Sequence, residues 1–210
     1  MTMMNDTTPG TRTRLNLNDI RIRYSSEGIL TGADEYNDEN TVIPWWAELN
    51  FADYPEDGTA PTLTPIGSVR GFLVDLDSGV DPYEALDALE ADLERIGSAL
   101  FQDGGIVEQM DILPSHAIII DRVRLDSEYR GQRLGPRAVA TAVRLLGRGR
   151  IAVAALIAQP DGWHEMGRHT LSVARQKVRH AWQGIGFSPF DDEVLWLDAT
   201  DYDGEDYFAS

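Results

Sequence analysis

HAIIIDRVRLDSEYRGQRLGPRAVATAVRLLG, residues 116–147, is the stretch on which the fold turns. Its unbroken apolar opening, Ala117 to Ile120, suits a strand buried on both faces, running on to Leu125. DSEYRGQRLG then reads as a turn, and PRAVATAVRLLG as a helix opened by Pro136 and closed near Gly147. A strand feeding a helix through such a turn aims several backbone N–H groups at one point, and the helix dipole adds positive charge there. Glycines at 131 and 135 let a ligand approach the backbone, and Pro136 gives up an N–H that the first helical turn does not need. Arg130, Arg133 and Arg137 can add charge-assisted contacts to phosphate oxygens. The residues alone therefore describe a diphosphate-like anion site, with a purely structural turn as the plain alternative.

Working outward, IAVAALIA (151–158) reads as a second buried strand. Residues 170–183 read as a helix with Leu171, Ala174, Val178, Ala181 and Trp182 on one side, stopped by Gly184 and Gly186. EVLWL (193–197) is a last strand. Upstream, 13–24 alternates as a strand with one irregularity, and 42–54 and 66–76 follow as strands across a Pro/Gly-rich connection. Pro44 marks an edge or a bulge. Residues 82–101 predict one helix: Asp81 as N-cap, Pro82 at the first position, and a stripe of Tyr83, Leu86, Leu89, Leu93, Ile96 and Leu100. Trp45 and Trp46 are adjacent in a strand and so face opposite ways. One belongs to the core; the other walls a cleft or meets a second subunit, which leaves a homodimer open. The order β-β-β-α-β-α-β-α-β is that of a mixed α/β (α+β) domain. It divides into a tail over 1–11, one domain over 12–198 with the 82–101 helix inserted, and an acidic tail over 199–210.

The chain has 210 residues, no cysteine and a net charge of −17. Lacking cysteine excludes disulfides, thiolate chemistry and iron–sulfur clusters. No apolar run is long enough to span a bilayer, and the N-terminus has no secretory apolar core, so a cytoplasmic protein with no membrane partner is expected. The charge is uneven: residues 1–115 carry 22 acidic and 6 basic side chains, 116–184 carry 5 and 12, and 185–210 carry 8 and none. A field this negative disfavours nucleic acid as a partner. The central basic island marks either a local anion site or a solvated helix face. The acidic loop 32–40 and the acidic tail either attract a cationic acceptor or serve solubility.

EYRGQRLG, preceded by a strand ending in RVRL and followed by a helix, resembles the acetyl-CoA signature of the GNAT superfamily of N-acetyltransferases: Arg or Gln, two residues, Gly, one residue, then Gly or Ala. The order that follows, strand, helix, Gly186-Phe187 and strand, is similar too, so the likeness covers about residues 116–198, and IGSVRGFLVDL resembles the family's third strand. The resemblance implies a mostly antiparallel central sheet with helices on both faces and an acyl transfer from acetyl-CoA, as co-substrate, to a primary amine. It implies that Arg130, Gly131, Gln132, Arg133, Leu134 and Gly135 surround the pyrophosphate. Val123, Arg124 and Leu125 would then pair through their backbone with the pantetheine arm and the acetyl carbonyl. Arg133 stands where the signature has glycine, which a negative φ would accommodate. Arg175 stands where the family often has an asparagine that contacts CoA, and Trp182 where it often has a tyrosine acid.

Candidate bases are Asp121, beside the motif, and His164 in the loop QPDGWHEMGRHT; histidine titrates nearest neutrality. Asp121 reads equally as a satisfied strand-end carboxylate, Glu128 as solvated, and His116 as a polar strand opener. His164 and His169 are five apart, not the helical pair that binds zinc, so no metal is expected. The acidic surface favours a small cationic amine or a basic peptide as acceptor. The alternative is a degenerate GNAT-like module that binds CoA or a protein partner without transfer.

Overall fold

The structure is a computed structural model, and it describes residues 16–26 and 41–204 except 88, 90, 103, 108, 109 and 192. The expected N-terminal tail and the acidic loop 32–40 lie outside the described residues. Three antiparallel strands come first: β1 (Ile20–Ser26), β2 (Val42–Asp53) and β3 (Thr62–Asp75). Helices α1 (Pro82–Asp87) and α2 (Ala91–Leu100) follow, then a small ribbon of β4 (Phe101–Gln102) and β5 (Gly105–Ile106). β6 (His116–Leu125), α3 (Leu134–Gly147), β7 (Ala152–Ile157), α4 (Arg168–Gln183), β8 (Ser188–Pro189) and β9 (Val194–Asp198) complete the chain. Among the described residues the sheet has seven strands in the order β1-β2-β3-β6-β7-β9-β8, and β6/β7 is its one parallel pair. It is mixed and mostly antiparallel, the class expected from the sequence.

Apolar alternation splits the core in two. Ile118, Ile120, Ala154 and Leu156 face α3, whose Leu134, Ala138, Val139, Ala142 and Val143 are buried with them. Ala117, Ile119, Val153 and Ala155 face the other way, onto Leu86 of α1 and Leu93, Ile96 and Leu100 of α2. Helices thus cover both faces, and over the paired stretch, 117–120 against 153–156, both parallel strands are buried. Trp45 is buried and Trp46 half-buried, as adjacent strand positions require.

The single helix expected over 82–101 is two. Leu89, counted in its apolar stripe, is 48% exposed. A Cβ on Gly97 of α2 would lie 3.3 Å from Tyr83 and 3.7 Å from Leu86 of α1. Fourteen residues of continuous helix would separate these positions by about 21 Å. The chain folds back instead, so Leu86 and Leu93 are both buried on the sheet. Two helix starts also move: α3 begins at Leu134, two residues before Pro136, and α4 at Arg168, two residues before Thr170. Residues 199–204, expected as tail, pack on the domain: Ala199 is buried and the Tyr202 hydroxyl donates to the Ile185 carbonyl at 2.8 Å. Among the described residues no helix is long and apolar enough to cross a membrane.

Candidate functional site

β6 and β7 pair only from His116↔Ala152 to Ile120↔Leu156. Beyond Ile120 the two strands part, while β3 keeps pairing with the other edge of β6 as far as Gly67↔Leu125. A bulge marks the parting: Gly71 pairs with Ile120 and Arg70 with Arg122, so Asp121 is the extra residue. The gap opens into a cleft of about 380 Å³ lined by β6 (Ile120–Arg124), the segment after β7 (Gln159–His164), Asp92 and Ile96 of α2, and Trp182 of α4. A strand edge without a strand partner offers its N–H and C=O groups to whatever enters.

Past the bulge the pleat sends Val123 and Leu125 under α3 and exposes Arg122 and Arg124 on the opposite face. A Cβ on Gly135 would already lie 3.2 Å from Val123 Cγ1, so glycine there sets the approach of α3 to β6. The connecting turn uses two left-handed residues, Gly131 (φ 80°) and Arg133 (φ 58°). The negative φ expected at Arg133 is therefore corrected: the turn holds this position in the left-handed region that favours glycine, and an arginine adopts it. The first helical hydrogen bond runs from Arg137 N–H to the Arg133 carbonyl at 3.2 Å. Ahead of it, Leu134 and Gly135 carry the orphan N–H groups of the helix start, and Pro136 has none. Arg130 spans the mouth: its Nε donates to the Leu125 carbonyl at 2.8 Å, and Nη2 pairs with Asp161 Oδ2 at 3.2 Å.

The structure brings Asp121, Val123, Arg124 and His164 together on the cleft wall. Asp121 is committed: Arg70 Nε and Nη2 both approach its Oδ2 at 2.6 Å, and its side chain is 1% exposed. His164 is exposed, its ring 3.7 Å from that of Trp163, with no hydrogen bond among the described residues. Leu134 is a core side chain, leaving only its backbone for a ligand, and Leu125 packs against Gly135 rather than lining the cleft. Gly131, Gln132 and Arg133 form the turn. Arg175 does not line the cleft either; its guanidinium pairs with Glu193 Oε1 at 3.2 Å, while Arg95 of α2 takes Oε2 at 3.1 Å. His116 sits at the far end of β6, its Nδ1 2.9 Å from Ser115 Oγ. Among the described residues no cluster of His, Cys, Asp or Glu could hold a metal.

No family model matches the chain, and no curated protein does. Among solved structures, one of Arabidopsis thaliana NAA60 in complex with a bisubstrate analogue is similar over 75% of this chain and 76% of that one, at 12% identity and a TM-score of 0.38. A likeness that distant says nothing about activity, and the fold stands on its own strand order.

Sequence reading missed Arg70, Asp92, Ile96 and Gln159 as parts of the site, and had Arg122 only as a member of the basic island. Of the four missed, only Gln159 carried a local signal, as the first polar residue after a buried strand. Both atoms of its amide are buried without a hydrogen-bond partner. An amide left so costs about 1–3 kcal/mol, which a ligand able to both donate and accept would recover.

Proposed function

We propose that this chain is an acyl-CoA-dependent N-acyltransferase, in the simplest case moving acetyl from acetyl-CoA to a primary amine by direct attack. The observation that carries the reading is the parting of β6 from β7 beside a turn whose two orphan N–H groups open α3. The residues fit the co-substrate's parts: a helix start and Arg133 for a pyrophosphate, an unpaired strand edge for a chain of amides, and a cleft beyond for the acyl group. Bound there, acetyl-CoA supplies a thioester carbonyl open to attack.

Of the two candidate bases, His164 fits the role better. Its imidazole is exposed and, among the described residues, has no hydrogen bond, whereas Asp121 holds Arg70 in place through its Oδ2. Trp182 occupies the cleft wall where the resemblance would put a tyrosine acid, and indole is no acid, so the departing sulfur takes its proton from water. The second reading, binding without transfer, rests on that same tryptophan.

The test is thermal stability with and without acetyl-CoA. A ligand at 100 times its dissociation constant adds about 2.7 kcal/mol to the native state, and the midpoint should rise accordingly. Gly135→Trp should abolish the rise, because a side chain there is aimed at Val123 and forces the start of α3 away from β6. Arg133→Glu, at an exposed side chain, should weaken it without disturbing the core. A wild type that acetyl-CoA does not stabilise ends the assignment. A rise with no free thiol released by any amine selects the binding module.

A further inference from the structure

We propose that the cleft selects an amine that also carries an oxyanion, a carboxylate or a phosphate, and that Arg122 and Arg124 hold it. This rests on the acyl-transfer reading and names its acceptor class. The support is a charge balance within the cleft. Every carboxylate on its wall is already beside a cation: Asp121 with Arg70 at 2.6 Å, Asp161 with Arg130 at 3.2 Å, and Asp92 with Arg95 at 3.7 Å. Arg122 and Arg124 line the same cleft, are exposed, and have no ion pair or hydrogen bond among the described residues. Among the described residues two positive charges are therefore left uncompensated at the cleft of a protein whose net charge is −17.

Their placement suits one ligand group. Residues two apart on a strand share a face and stand about 7 Å apart, within reach of a common oxyanion for two long side chains. Guanidinium forks match carboxylate and phosphate oxygens. The face they occupy is opposite α3 and its turn, so an acceptor can enter there while the turn is filled from the other side. The step balances within the cleft. A bond forms between the amine nitrogen and the carbonyl carbon, the carbon–sulfur bond breaks, one proton leaves nitrogen for His164 or water, and the sulfur takes one from water.

Four three-carbon amines separate the possibilities, with acetyl-CoA as donor and the full chain as enzyme: 3-aminopropanoate, 3-aminopropyl phosphate, propylamine and 1,3-diaminopropane. The readouts are thiol release and the thermal midpoint of the acetyl-CoA complex. One or both anionic amines should exceed propylamine by about tenfold in kcat/KM, through KM, with the gap narrowing at high salt. Which of the two leads tells carboxylate from phosphate. Arg122→Glu should reverse the order in favour of 1,3-diaminopropane, while acetyl-CoA alone still raises its midpoint. Faster turnover of propylamine or diaminopropane by the wild type overturns the proposal. So does a variant that loses the acetyl-CoA shift, which would give these arginines to the donor's phosphates. If acetyl-CoA binds and no amine releases thiol, transfer fails separately. The acceptor subsite then stands only if an anionic amine further raises the wild-type midpoint and not the variant's. If nothing shifts the midpoint, both fall.

Discussion

Arg133 holds a conformation (φ 58°, ψ 18°) that costs an L-residue roughly 1–2 kcal/mol. Its side chain makes no capping hydrogen bond in return. Arg133→Gly should therefore stabilise the protein by about 1 kcal/mol, after glycine's larger unfolded-state entropy is subtracted. At this chain length that is a midpoint about 2–4 °C higher by calorimetry; a lower midpoint would mean the arginine makes compensating contacts. His116 gives a pH signature instead. Burial, and then the Arg150 charge, lower its pKa below the ordinary 6.5, against the opposing pull of Asp75 and Asp77. A depressed histidine pKa means the unfolded chain binds the proton more readily, so stability is full above about 6.5 and declines as pH falls from there toward the folded value. His116→Gln should flatten that part of a midpoint-against-pH curve, and an unchanged slope would assign the acid sensitivity to other groups.

Between elements, the register of β3 against β6 controls the cleft, because the Asp121 bulge begins where Gly71 pairs with Ile120. A Cβ on Gly71 would collide with the Ile119 carbonyl oxygen and lie 2.5 Å from Trp45 Cζ2, and backbone cannot yield as a flexible side chain can. Gly71→Ala should cost about 3 kcal/mol, a midpoint lower by about 6–12 °C. Gly105→Ala, with nothing within 4 Å of the added atom, serves as the near-neutral control. The split of α1 from α2 belongs to the same scale. A stripe with spacings of three and four describes one long helix and two short ones equally well, and tertiary packing through Gly97 decides between them. α4 shows the converse: of its expected apolar side only Trp182 is buried, with Leu171, Ala174 and Val178 half-covered and Ala181 exposed.

Across the whole molecule, net charge and local charge point in opposite directions. Summed over the chain, −17 suggests a cationic acceptor. Resolved by position among the described residues, the cleft's carboxylates are spent on Arg70, Arg130 and Arg95, and Arg122 and Arg124 remain. Pairing partners 51 and 31 residues apart, as for Asp121 and Asp161, leave no trace in local sequence. By itself the sequence determined a strand over 116–125 with a buried start, a second buried strand within 151–158, the glycine-bearing turn into a helix, and the mixed α/β class. Those follow from hydrophobic periodicity and backbone chemistry, which are properties of neighbours along the chain. Tertiary structure alone decided where β6 leaves β7, which residue is the bulge, that residues 82–100 fold back on themselves, and which charges stay unpaired. Each of these depends on groups brought together from distant segments, and their interaction energies are set only once the sheet has closed around them.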